Sequence, residues 1–161
     1  MIMATKKKTT KKRWFVAAAI IIIIGSAAAG WYYRQNSAAP IPADIRHSVS
    51  YGLYYPSSLP AGFIYDKNSA RIANGVVFYS FSAAGQKVVV SEQALPNNPP
   101  DLKNLPGFND SLSTAGTIAT GSASGIPTAL LETPTSLVTV AGQRNTSAST
   151  VSSFAQQMKS L

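Results

Sequence analysis

Residues 14–33 contain no charged side chain, and this stretch constrains the chain more than any other feature. As an α-helix rising about 1.5 Å per residue it is about 30 Å long, which matches the hydrocarbon thickness of a bilayer. Aromatic residues stand at both ends, where the headgroup region favours them, and isoleucines fill the middle. The sequence therefore predicts a transmembrane helix over residues 14–33, with these residues at its ends and centre: Trp14, Ile20, Ile24, Trp31 and Tyr33.

Positive charge is concentrated before this stretch. The net charge is +8, and six cations with no acid precede the apolar residues: Lys6, Lys7, Lys8, Lys11, Lys12 and Arg13. By the positive-inside rule, residues 1–13 form a basic cytoplasmic tail next to anionic lipid, and the chain after residue 33 is extracytoplasmic. From Arg34 onward, eight basic residues face six acidic ones, so we expect no basic face for nucleic acid. The predicted location is the cell membrane, with a single pass and membrane lipid as a partner.

A cleavable signal peptide is the alternative to a signal anchor. The densest apolar run covers residues 15–24, and the small residues at 26–29 resemble a cleavage site. The chain would then be a secreted protein. Both interpretations place the remainder outside the cytoplasm.

After the apolar stretch, the sequence predicts a spacer and one domain. Residues 34–48 carry two prolines and no periodic apolar pattern, which is typical of a spacer, and residues 49–161 form the predicted domain. The clearest element is a β-hairpin, in which apolar residues alternate over 76–82 and 86–93 around a turn at 83–85. Other short strands are predicted at residues 50–55, 62–65, 115–120, 128–131 and 137–140, and a proline-rich loop at 94–108.

The end of the chain changes to a helical period. Val151, Phe154, Met158 and Leu161 recur at spacings that place them on one stripe of a helix. Asn145, Thr146 or Ser147 can cap its first turn. We therefore expect an α+β fold, in which a small antiparallel β-sheet follows the transmembrane helix and an amphipathic C-terminal helix packs on the sheet.

Residue types that carry chemistry are scarce. Cysteine is absent and His47 is the single histidine, so we expect no metal site, no cofactor and no catalytic residue. His47, with Asp44 and Ser48, lies in the predicted spacer, where nothing fixes a catalytic geometry. Glu92 and Glu132 are expected to be solvated carboxylates at strand edges, and the glycines at 121–125 to form a turn. The sequence therefore predicts that the protein is not an enzyme.

Aromatic residues are the most suggestive group in the outer part. Most of them are expected in the core, because few other large apolar residues are present to fill it. A part that stays exposed would form a binding face. The candidates for this face are Tyr54, Tyr55, Phe63 and Tyr79.

Two sequence segments carry a resemblance to a known family. The segments are YYPSSLPAGF at residues 54–63 and VSEQALP at residues 90–96. Over residues 51–161 the chain resembles a bacterial family of membrane-anchored domains of unknown function, found as outer domains of anti-sigma-like and sporulation-associated proteins. The resemblance implies no catalytic residue. The predicted anchor, the spacer and the scarcity of chemical groups favour a non-enzymatic interaction or sensing module with an envelope protein or an apolar ligand as partner. A carrier of an apolar or lipid ligand at the cell envelope is the alternative function.

Overall fold

The computed structural model describes residues 40–161. The predicted basic tail, the predicted transmembrane helix and residues 34–39 of the predicted spacer lie outside the described residues. Within residues 40–161, none of the helices has both the length and the apolar character needed to cross a bilayer.

Antiparallel β-structure dominates this part of the chain. The elements in chain order are α1 (Ala43–His47), β1 (Tyr54–Pro56), β2 (Ile64–Tyr65), β3 (Arg71–Ala73), β4 (Val76–Ala83), β5 (Gln86–Ala94), a 3-10 helix (Leu102–Asn104), β6 (Phe108–Leu112), β7 (Thr117–Ala123), β8 (Ile126–Glu132), β9 (Ser136–Gly142), α2 (Ala148–Gln156) and β10 (Met158–Ser160). The large sheet has the strand order β2-β4-β5-β9-β8-β7-β6, with β3 also paired to β4, and β1 forms a separate two-stranded sheet with β10. One helix near the C-terminus, α2, packs against β7, β8 and β9.

The predicted hairpin is confirmed as β4 and β5. Its turn places Ala84 and Gly85 at φ of 37° and 81°, the conformation that matches the twist of the flanking strands. The side chains of Val77, Tyr79 and Phe81 all point to the core, as the alternation predicts. The ring of Phe81 on this hairpin lies 5.0 Å from that of Phe154 on α2.

The C-terminal helix is shorter than its apolar period suggests. Ser147 caps it by accepting a hydrogen bond from Thr150 N, and Val151 and Phe154 are buried beneath it. The helix ends at Gln156, however, and Met158 is buried from strand β10, which pairs with β1. The predicted helical stripe is therefore wrong beyond Phe154, and Leu161 is 49% exposed. The local sequence period cannot show that the backbone of residues 158–160 pairs with strand β1, about 100 residues earlier in the chain.

Ordered structure begins before the domain start predicted at residue 49. Ile41 and Ile45 belong to the main core cluster, and Ile45 reaches it from the single turn of helix α1. The two prolines at 40 and 42 are typical of a spacer, so the sequence did not indicate that these two isoleucines are buried. Ordered structure therefore includes the described part of the predicted spacer.

Two edge strands were not expected from the sequence. Strand β3 is fully exposed, and β6 has the polar sequence FNDSL, so neither shows an apolar alternation. Each forms because a longer neighbour, β4 or β7, offers it backbone hydrogen bonds. The glycine-rich segment at 121–125 does contain a turn, but only Ser124 and Gly125 form it, since β7 and β8 extend further than predicted.

Candidate functional site

The four aromatic residues proposed as a binding face pack into the core. Tyr54, Phe63 and Tyr79 are buried, and Tyr55 is half-buried. The ring of Tyr55 lies 5.9 Å from that of Tyr79, and the ring of Phe63 meets Phe154 edge-on at 5.2 Å. They are buried because α2, β1 and the hairpin converge on them. This group is therefore a structural cluster in the described part of the chain, as the competing core interpretation expects.

Glu92 is a buried acid within this core. Its Oε1 lies 2.7 Å from the hydroxyl of Tyr79, and its Oε2 accepts a hydrogen bond of 2.9 Å from the backbone N of Tyr54. The expectation of a solvated carboxylate is wrong, because Glu92 continues the inward alternation of Val88 and Val90 along β5. That alternation was the signal in the sequence, and it outweighed the preference of a carboxylate for water.

Burial sets the protonation of this acid. It raises the pKa of Glu92 from 4.5 to about 7, although the hydrogen bonds from Tyr79 and Tyr54 act in the opposite direction. The pKa of the Tyr79 hydroxyl is also raised well above its usual range by burial and by the neighbouring Glu92.

The single hydrogen of the Tyr79 hydroxyl favours a neutral Glu92. The Tyr79 hydroxyl lies 2.7 Å from the carbonyl oxygen of Tyr54 as well as 2.7 Å from Glu92 Oε1, yet it carries a single hydrogen. With an ionised Glu92 the two oxygens share that hydrogen, whereas a protonated Glu92 can donate to Tyr79 and leave the Tyr79 hydrogen to Tyr54. The geometry and the raised pKa therefore agree.

These contacts tie residues 51–54 to the large sheet. The backbone N and O of Tyr54 point away from β10 and towards Glu92 and Tyr79. Tyr51 places its hydroxyl 2.7 Å from the carbonyl oxygen of Glu92, and Ser136 donates to the carbonyl oxygen of Gly52. We call Glu92, Tyr79, Tyr51 and Ser136 the core clamp. Because the chain's own groups occupy both oxygens of Glu92, this acid acts as a structural tether.

The remaining candidate groups are not brought together. Asp44, His47 and Ser48 are exposed at helix α1, and the Ser48 hydroxyl donates to the backbone oxygen of Asp44. Glu132 is at the end of β8, while β9 separates that strand from Glu92 on β5. Across residues 40–161, no three side chains of the metal-binding types cluster.

Strand β6 is an open edge of the sheet. Among the described residues it pairs with β7 alone. The hydrogen bond from Ser113 N to Gly116 O sets the alternation of the antiparallel ladder. The backbone N–H and C=O groups of Asn109 and Ser111 therefore point to β7, and those of Asp110 and Leu112 point away from the sheet. Leu112 is also 79% exposed. This edge therefore presents backbone donors and acceptors beside an exposed apolar side chain.

Comparisons with known proteins establish no family. No family model matches the chain, and neither does any curated protein. One similar solved structure is the crystal structure of MucB in complex with MucA(peri), with a TM-score of 0.38 and 16% sequence identity. The alignment covers 66% of this chain and 36% of that chain, so this chain spans about a third of its neighbour's length. These values are too low to establish a common fold.

Proposed function

We propose that this protein is a non-enzymatic interaction module, held at the outer face of a cell membrane by the helix predicted over residues 14–33. Its partner is an extended segment of another envelope protein, which adds to the sheet beside β6. The single observation behind this proposal is the open edge at β6 with the exposed side chain of Leu112.

Strand addition suits this edge chemically. An added strand can bond the outward N–H and C=O groups of Asp110 and Leu112, while an apolar side chain of the partner packs on Leu112. Exposed edges are usually protected by lysine, proline or a bulge. The sequence FNDSL of β6 contains neither lysine nor proline, Asp110 is its single charged residue, and its pairing with β7 runs in continuous register. Such an edge is well suited to an intermolecular strand.

The buried position of the core aromatics weakens the alternative of an apolar-ligand carrier. Such a carrier needs a pocket lined by tyrosine and phenylalanine, but Tyr54, Phe63 and Tyr79 pack against other residues of the core. The absence of catalytic function remains part of the proposal, and it is supported by the enclosed position of Glu92 and the exposed position of His47.

Site-specific photocrosslinking in cells that produce the full-length chain tests the strand-addition proposal. A photoreactive residue at Leu112 should give a discrete protein adduct. The same residue at Ile64, an exposed apolar position on β2 at the other end of the sheet, is the matched control and should not give that adduct.

A second substitution tests the backbone directly. Asp110→Pro removes an outward N–H without removing a bond to β7, so the domain should fold while the adduct at position 112 disappears. Asp110→Asn keeps the N–H and should keep the adduct. An identical adduct from Ile64, or an adduct that survives Asp110→Pro in a folded domain, would refute strand addition at β6.

A further inference from the structure

A cavity of about 320 Å³ lies near the β3–β4–β5 end of the large sheet. It opens on the face opposite the core, because its strand residues alternate with the buried ones along β4 and β5. Its volume is at the lower end of the range of about 300–1,000 Å³ for ligand pockets, which suits a small molecule. Its lining includes Asp66, Arg71, Phe78, Ser80, Lys87 and Val89.

A gap in the edge of the sheet builds this cavity. Strand β2 pairs with Phe81 and Ser82, and β3 pairs with residues 76–78, so neither strand covers the middle of β4. The turn at 66–69 closes the gap: Asp66 N donates to Ser80 O at 3.0 Å, and Ser80 N donates to the Ser69 hydroxyl at 2.8 Å. One wall of the cavity is therefore fixed by backbone hydrogen bonds.

Ser80 supplies an unused hydroxyl in this wall. Its side chain is 3% exposed, and its Oγ has no hydrogen-bond partner among the described residues. A buried hydroxyl without a partner loses the hydrogen bonds it made with water and gains none in exchange. The Oγ atom itself is enclosed, so an acceptor atom of a ligand restores a hydrogen bond when the Ser80 side chain rotates toward the cavity.

Two cations line the same cavity. The guanidinium of Arg71 lies 5.3 Å from the centre of the Phe78 ring, and Lys87 lines the cavity from β5. Within residues 40–161, neither cation forms a salt bridge with a carboxylate. Asp66 also lines the cavity, so the charged lining residues together carry a net charge of +1.

We infer that this cavity binds a small monoanionic carboxylate with an apolar body. The carboxylate is held by Arg71 and Lys87 and accepts a hydrogen bond from Ser80, while Phe78 and Val89 contact the apolar part. The Asp66 carboxylate disfavours a dianion such as phosphate, because two negative charges there would exceed the positive charge available. A free organic acid and the C-terminal carboxylate of a peptide offer the same chemistry.

Isothermal titration of the full-length chain in mild detergent tests this inference. N-acetyl-L-phenylalanine is the probe, and N-acetyl-L-phenylalaninamide is the neutral control that keeps its shape. The acid should bind and the amide should not. A peptide that ends in phenylalanine, compared with benzoate, separates the two sources, since tighter binding of the peptide identifies a C-terminal carboxylate.

Variants locate the binding. We expect about tenfold weaker binding of the acid for each of Arg71→Gln, Lys87→Gln and Ser80→Ala, which is the effect of losing one charge-assisted hydrogen bond. Arg144→Gln removes an exposed cation outside the cavity and should leave the affinity unchanged. Equal binding of acid and amide, tighter binding of inorganic phosphate, no binding of the acid, or insensitivity to all three substitutions would each overturn the inference.

Discussion

Replacing Glu92 by glutamine should abolish a large pH dependence of the protein's stability. Glutamine has the shape of a protonated glutamate and is neutral at every pH. Its amide can donate to the Tyr79 hydroxyl while its oxygen accepts from Tyr54 N, so both observed contacts remain possible. The substitution therefore removes the titration and keeps the core clamp.

The size of the effect follows from the shift in pKa. A rise in the pKa of Glu92 from 4.5 to about 7 corresponds to roughly 3 kcal/mol, at about 1.36 kcal/mol per unit of pKa. Because the folded-state pKa is the higher one, the folded protein favours the protonated acid. The contribution is complete below about pH 4.5 and is lost as the pH rises to about 7. Above that pH, the free energy of unfolding should be lower by about 3 kcal/mol.

Urea denaturation of the full-length chain, followed by circular dichroism from pH 4.5 to pH 8.5, measures this dependence. With a typical slope of about 1–3 kcal/mol per molar urea, the wild-type midpoint should fall by about 1–3 M across that range. The Glu92→Gln midpoint should remain nearly constant and exceed the wild-type midpoint at pH 8.5.

Glu132→Gln is the matched control. Glu132 is a half-buried carboxylate of the same sheet, on β8, and its substitution should preserve the wild-type pH dependence. If Glu92→Gln kept the full pH dependence, or if Glu132→Gln removed it, the assignment of a buried neutral acid at position 92 would be refuted.

Three further outcomes are expected. Tyr79→Phe should lower the free energy of unfolding by about 1–3 kcal/mol, since it leaves the Tyr54 carbonyl and the buried acid without that partner; urea denaturation measures it. Gly116→Ala should cost about 1–3 kcal/mol in the same assay, because its Cβ would lie 1.9 Å from the carbonyl oxygen of Glu132. N-terminal sequencing of membrane-fraction protein should give the unprocessed start; a start near residue 30 would replace the anchor by a cleaved signal.

The sequence predicted the elements whose partners are close in the chain. The β4–β5 hairpin could be recognised because its alternation and its turn residues are local. The cap at Ser147 and the buried stripe from Val151 to Phe154 follow from the same kind of local pattern. Strand β6 could not be predicted in this way, because its polar residues become a strand only when β7 pairs with them.

The core clamp escaped prediction for a related reason. Burying an acid costs free energy unless hydrogen-bond partners surround it, and the partners of Glu92 are Tyr54 and Tyr79, 38 and 13 residues away. Composition alone therefore favours a solvated Glu92. The orphaned hydroxyl of Ser80 escaped similarly, since its burial depends on the turn at 66–69 closing over the middle of β4.

The arrangement of the sheet separates the three features on which the proposals rest. The core clamp holds residues 51–54 over β4 and β5 on the core face, and the cavity uses the same two strands on the opposite face. Strand β6 is at the far end, beyond β9, β8 and β7. A partner strand at β6 can therefore extend the sheet without displacing the clamp.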